Sequence, residues 1–200
     1  MHLKGKQIGF ALPEGHFSMP DILTEVKKLV SAGADVYPLF LATSEQPEID
    51  SQFTEAKKIL EQVTGREMLT TTLADEAGET SGEDINFDIM VIAPCPGNFL
   101  VRLVNARTTS APLSKTVRHL QEGNPVVLAV ITNGDSESLL QNVEQILSIK
   151  SFFLVPFGPV DQGGKQIYLA RLDLLAETVT YAVQDRQLEP VYLEPCWLPH

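Results

Sequence analysis

Short apolar runs alternate with stretches of helical periodicity along nearly the whole chain, and this alternation restricts the fold more than any other feature. The clearest run is Phe87-Asp88-Ile89-Met90-Val91-Ile92-Ala93, joined by Gln7-Ile8-Gly9-Phe10-Ala11-Leu12 and the Val-rich residues 125–131. Runs that are apolar almost throughout match parallel strands covered on both faces. Residues 35–41, 67–72 and 152–156 read as further strands. Between strands, Ile22, Leu23, Val26, Leu29 and Val30 recur at three- and four-residue spacing and share one helix face. Phe53, Ala56, Ile59, Leu60 and Val63 do the same. Residues 98–106, 114–121, 137–149 and 172–184 read as helices, with Gly33, Gly65 and Gly123 where helices stop. The pattern predicts an α/β fold: a three-layer sandwich with a mainly parallel sheet, right-handed crossovers and helices on both faces.

Two regions break the alternation. The polar residues 75–86 read as a surface loop, and the Gly-rich residues 158–165 as a mobile stretch. Residues 188–200 hold three prolines and are expected to lie extended on the surface or on a neighbouring protomer.

At 200 residues with 44% apolar content, the chain suits one domain over 1–200 with a sizeable core. A net charge of −11 disfavours nucleic acid as the main partner, since phosphate backbones need clustered Lys and Arg. No apolar run reaches the roughly 18 to 20 residues needed to span a bilayer, and no signal-peptide core is visible. The expected location is the cytoplasm, with no membrane partner. Cys95 and Cys196 are far apart, which argues against a disulfide framework or a zinc site. No His/Asp/Glu cluster has metal-ligand spacing, so no metal is expected.

In a doubly wound sheet, ligands bind outside the carboxyl ends of the strands, where the strand order reverses. That rule points to the turns. Residues 12–18 join the first strand to the first helix, and the N–H groups and Ser18 hydroxyl at that helix start suit an anion. Pro13 and Gly15 shape the turn. The plain alternative is an ordinary turn with Ser18 as its cap. Neither a G-x-G-x-x-G fingerprint nor a Walker A loop is present. The second turn, Pro94-Cys95-Pro96-Gly97-Asn98, has a rigid backbone and one amide able to donate and accept, which suits a flat heterocycle. Asn98 as a plain helix cap is its alternative. Cys95 reads as a small buried filler rather than a reactive thiol. Thr132, ending a later strand, and Thr43, after the second strand, are further candidates for a ligand contact. Of the four histidines, only His16 falls at a strand end, while His119 reads as a solvated helix residue. No G-x-S-x-G elbow supports a serine triad.

These residues resemble the family formed by the B-type component of dipicolinate synthase. The likeness runs through Leu3-Lys4-Gly5-Lys6-x-Ile8-Gly9-Phe10, the His16 turn, Met90-Val91-Ile92-Ala93-Pro94, Gly97-Asn98 and Leu103-x-Asn105-Ala106. It continues in order through Asn124-Pro125-Val126-Val127-Leu128, Thr132-Asn133, Val155-Pro156-Phe157-Gly158, Ala170-Arg171-x-Asp173-Leu174-Leu175 and Pro190-Val191. The resemblance implies a Rossmann-like flavoprotein related to phosphopantothenoylcysteine decarboxylase, forming a trimer or dodecamer. It implies FMN held between the first turn and the turn at Pro94 to Asn98. With the strand-end candidates, the expected contacts are Pro13, Gly15, Ser18, Thr43, Pro94, Gly97, Asn98 and Thr132. His16 is the expected proton-transfer residue, because a free imidazole has a pKa of about 6.5, near working pH. The resemblance further implies a partner like the A-type component of dipicolinate synthase, with an NAD(P)-type domain, and a dicarboxylate substrate. The reaction would be oxidation of a dihydrodipicolinate precursor to dipicolinic acid during endospore formation.

The departures gather at the site. Members of the family carry Thr-Gly-Ser-His in the first turn, where this chain has Pro13-Glu14-Gly15-His16. Two hydroxyls are gone, and a carboxylate beside a flavin phosphate would repel it. A lysine expected near the second turn's helix falls at Val117, with Lys115 nearby, and Asn133-Gly134-Asp135-Ser136-Glu137 replaces an Asn-Asp-Ala-Leu-Gly segment. The missing Pro-x-Met-Asn-x-x-Met-Trp run disfavours cysteine-decarboxylase chemistry. Three readings stay open: a flavin-type enzyme component, a non-catalytic oligomeric binding protein that has lost FMN, and a different flavin- or nucleotide-dependent oxidoreductase.

Overall fold

The computed structural model describes residues 3–13, 19–42, 51–72, 85–97, 99, 100, 103, 119, 122–132 and 136–194. Strand β1 (Gln7–Pro13) is followed by α1 (Met19–Ser31), β2 (Asp35–Ala42), α2 (Ser51–Thr64), β3 (Leu69–Thr72) and β4 (Ile89–Pro96). Then come β5 (Val126–Thr132), α3 (Ser136–Leu147), β6 (Phe152–Leu154), β7 (Phe157–Gln162), β8 (Lys165–Ala170), a 3-10 turn (Leu172–Leu174) and α4 (Leu175–Ala182). Gly97, Phe99, Leu100 and Leu103 are helical, as is His119.

The strands form one sheet in the order β3-β2-β1-β4-β5-β8-β7, with β6 also on β5. Strands β1 to β6 run parallel, and β8 and β7 are antiparallel additions. The outer edge of β5 is shared: β6 pairs with Val126 to Leu128, and β8 with Ile131 and Thr132.

Period-two alternation along each strand sends side chains to opposite faces, which makes two cores. Ile8, Phe10, Leu12, Ile89 and Val91 meet Ile22, Val26 and Leu29 of α1, Leu60 of α2, and Leu175 and Val179 of α4. On the other face, Met90, Ile92, Leu128 and Val130 meet Phe99, Leu100 and Leu103, with Val143 and Ile146 of α3. Helices therefore cover both faces, as the pattern predicts. The end of α1 shows how local sequence sets a boundary. Gly33 has φ +88°, its N–H donates to the Val30 carbonyl at 2.9 Å, and the Ala34 N–H donates to Leu29 at 3.2 Å. This is the Schellman arrangement, which needs a residue comfortable at positive φ. Gly9 is needed for a different reason: a Cβ there would lie 2.9 Å from Phe87 Cδ2.

Four expectations are corrected. Residues 158–165 are not a mobile Gly-rich stretch but most of a β-hairpin. Gly163 and Gly164 have φ +65° and +81°, the geometry of a two-residue hairpin turn that non-glycine residues resist. Strand β4 does not end at Ala93 but continues to Pro96. Ile92 faces Leu128 while Cys95 faces Val130, so β4 uses one extra residue, and a bulge is where a strand tolerates a proline that lacks its N–H. The 172–184 helix begins with a 3-10 turn before α4. His119 is not solvated: it is 5% exposed, and its Nε2 lies 2.9 Å from the Pro125 carbonyl, to which it must donate. The described part of the tail, 188–194, is pinned to the same chain. Phe157 N–H donates to the Val191 carbonyl at 2.9 Å, and Leu193 N–H to the Phe157 carbonyl at 2.8 Å.

Candidate functional site

Strand order locates the crevice. The chain leaves β1 toward β2 and leaves β4 toward β5, so the order reverses between two adjacent strands. Outgoing connections diverge there and open a cleft beyond the carboxyl ends. The last registered pair across β1 and β4 is Ala11 with Ile92. Beyond it lie Leu12 and Pro13 on one strand and Ala93 and Pro94 on the other, all four buried. The Ala93–Pro94 peptide is cis.

Pro13 is the last residue of β1, and Pro94 lies in the bulged end of β4. Gly97 is the first helical residue after that strand. Thr132 is the last residue of β5, and since Pro96 faces Ile131, Gly97 and Thr132 each stand one step further on. The fold thus brings Pro13, Pro94, Gly97 and Thr132 to one end of the sheet, around the switch point. Gly15, His16, Ser18, Thr43 and Asn98 lie outside the described residues, and so does Glu14.

Cys95 is fully buried in the core below this end, and burial pushes its thiol far above the ordinary range. It is a protonated filler, not a nucleophile. His119 sits at the opposite end, where the Pro125 carbonyl also accepts from Met90 N–H at 3.0 Å. Burial lowers its pKa, against the opposing pull of the Pro125 bond and of Glu122. It ties the helix before β5 to the start of the strand pair and takes no part in the crevice.

Two features escaped the sequence reading. Glu25 is buried on α1, where its carboxylate accepts from Lys28 Nζ at 2.6 Å and from Ala176 N–H at 3.2 Å. A carboxylate at the start of α4 satisfies a free N–H and complements the helix dipole. No local signal marks its burial, because the N–H it meets, that of Ala176, is 151 positions away. The second is Tyr168, which faces Thr132 across β5 and β8. The Gly163-Gly164 pair was its available signal, as a hairpin turn. Among the described residues, no group of three or more His, Cys, Asp or Glu is placed to hold a metal ion, and no helix is long and apolar enough to cross a membrane.

No protein-family model matches the chain. It is 33% identical over 196 residues to the B-type component of dipicolinate synthase from Bacillus subtilis (strain 168), covering 96% of each chain. A crystal structure of the same dipicolinate synthase component from Bacillus halodurans C superposes with a TM-score of 0.72 at 28% identity, over 98% of this chain and 100% of that one. The FMN-dependent cysteine decarboxylase SpaF shares the fold, with a TM-score of 0.57 at 17% identity over 91% of this chain and 99% of that one. So does AnUbiX (PadA1), solved with FMN and dimethylallyl pyrophosphate, with a TM-score of 0.51 at 14% identity over 76% and 78% of the two chains. With a Rossmann-like sheet and near end-to-end identity above 30%, the chain belongs to the family of B-type dipicolinate synthase components.

Proposed function

We propose that this chain is the flavin-type component of a dipicolinate synthase. It would act with an A-type partner that carries the NAD(P)-type domain, in the cytoplasm of a spore-forming cell. The observation that carries the reading is identity spread over 96% of the chain, combined with a sheet that reverses its order at the predicted turns. The oligomer proposed is a trimer or dodecamer, and the chain is read as one domain over 1–200.

The described residues fit a flat, anionic cofactor in part. Gly97 opens a helix at the switch point with no side chain to block approach, and Pro13 and Pro94 stay buried beneath. Residues Gly15, Ser18 and Thr43 are proposed to line the phosphate end, and Asn98 and Thr132 the ring. Aromatising a dihydropyridine removes a hydride and a proton, and bound FMN supplies a hydride acceptor. His16 is proposed to take the proton, since an imidazole of pKa about 6.5 titrates near working pH. The protein's own work is to orient a small dicarboxylate and keep water from the ring.

Glu14 favours a second reading: a non-catalytic binding protein of the same fold that has lost FMN. Its carboxylate stands between Pro13 and Gly15, the two positions where relatives are expected to carry hydroxyls, and like charge repels a phosphate. Calorimetry with FMN, then assay of dipicolinate formation with the A-type partner present, separates the two. Binding and turnover support the enzyme, while a flat titration with no product supports the second reading.

A further inference from the structure

One apolar face of the β7–β8 hairpin lies outside both cores. Ile131, Leu169 and Gly158 form a row across β5, β8 and β7, and Val160 pairs with Ile167 two residues further out. Period-two alternation puts these residues on one face and Phe157 and Tyr168 on the other, where they join the core of Leu128 and Val130. Ile131, Val160 and Leu169 are half-buried. Ile167 is 6% exposed, yet neither core includes it.

The tail is aimed at this face. Tyr192 pairs with Phe157 as a parallel neighbour, so the tail runs in the direction of β7, toward the Gly163-Gly164 turn. Val191 and Leu193 bond the main chain of Phe157 on either side of that pair. The next donor on this edge would be the Pro159 N–H, which proline lacks, so the ladder stops at Leu193. The tail then turns onto the apolar face: a Cβ at Gly158 would lie 2.8 Å from the Leu193 carbonyl oxygen and 3.1 Å from Leu193 Cβ. Gly158 stands in the row of Ile131 and Leu169, and its missing side chain is what admits the tail there.

The residues that follow carry the matching chemistry. Pro195, Cys196, Trp197 and Leu198 lie outside the described residues and hold no charge. From Leu193, the four residues to Trp197 reach up to about 14 Å, while Val160 is only two strand residues beyond Gly158. Ile167 is buried already in the single chain, which points to cover from this chain rather than from a second copy. We propose that residues 195–198 dock within the same chain onto the face of Ile131, Val160, Ile167 and Leu169, with Trp197 as the anchor. The docking does not depend on the flavin reading, and either can fail alone.

Trp197 is the only tryptophan, so its emission in the full chain reports the docking. The unmodified protein is expected to emit to the blue of the urea-unfolded chain and to resist quenching by acrylamide. Val160→Asp puts a charge on the face, and Gly158→Ala puts a Cβ against Leu193. Each is expected to shift the emission to the red and to lose the protection, with the far-ultraviolet circular dichroism kept. In Val160→Cys, mild oxidation is expected to form a disulfide with Cys196 inside one chain, seen as a monomer of altered mobility on a non-reducing gel. Cys95 is fully buried and does not compete. Emission like that of the unfolded chain in the unmodified protein, or protection that Val160→Asp and Gly158→Ala both leave unchanged, overturns the proposal. A disulfide that joins two chains instead assigns the segment to a second copy and overturns the docking within one chain.

Discussion

The Gln187 carboxamide pairs with both backbone groups of Leu154: Oε1 accepts its N–H at 2.9 Å, and Nε2 donates to its carbonyl at 2.8 Å. One side chain thus substitutes for a neighbouring strand on the outer edge of β6. Leu154 is fully buried, so its groups have no easy alternative in water. Gln187→Ala is expected to destabilise the fold by about 1 to 3 kcal/mol, the cost of leaving buried polar groups unpaired. Urea unfolding followed by circular dichroism measures this. An unchanged midpoint would mean that the edge finds other partners.

Gly9 and Phe87 make a steric prediction. A Cβ at Gly9 would stand 2.9 Å from Phe87 Cδ2 and 3.1 Å from Leu39 Cδ1. Gly9→Ala should cost about 1 to 3 kcal/mol through overpacking. Phe87→Leu in the same chain should recover part of it, because the clash is with the ring. A double-mutant cycle with strictly additive costs would show that the ring is not the obstacle.

His119 predicts a pH dependence. Burial lowers its pKa below the ordinary 6.5 in the folded state, so the unfolded chain binds the proton more readily. Stability is therefore full above the unfolded pKa and falls as pH drops below it, until the folded pKa is also passed. His119→Gln removes the titration and should flatten that part of the stability curve, as read from unfolding midpoints between pH 5 and pH 7.5 (about the range where a free imidazole titrates). A slope unchanged by the substitution would place its origin in other groups.

Much of the fold was legible because each central strand carries its own signal. Ile8, Phe10, Leu12, Ile89 and Val91 face one core while Ala11, Met90 and Ile92 face the other, so β1 and β4 are apolar on both sides, and Gly33 stops α1 by a purely local geometry. Pairings set by distant partners were not legible. The hairpin was hidden because Pro159, Gly163 and Gly164 look like loop residues until β5 offers them an edge. The burial of His119 depends on Pro125, and the continuation of β4 through Pro94 and Pro96 depends on β5. At the site, the placement of Pro13, Pro94, Gly97 and Thr132 at the carboxyl end of the sheet agrees with the rule of strand order. The chemistry assigned to His16 and Asn98 came from their residue types and from the family likeness.

Asn98 and His16 can be separated kinetically. Asn98→Ala should weaken FMN binding by about 1 to 3 kcal/mol, as an unpaired polar contact would. His16→Gln should leave FMN affinity near that of the unmodified protein and reduce turnover about a hundredfold or more, the usual size of a general-base contribution. Fluorescence titration and steady-state rates with the A-type partner supplied check both. Full activity in His16→Gln would remove it from the proton-transfer role.

The most direct test of the account is a flavin titration of the purified full chain, followed by absorbance and fluorescence. The carboxyl-end crevice predicts one FMN per chain, with a shifted isoalloxazine band and altered emission, both weakened in Asn98→Ala. A spectrum identical to that of free FMN at every protein concentration, with no heat of binding, would contradict it.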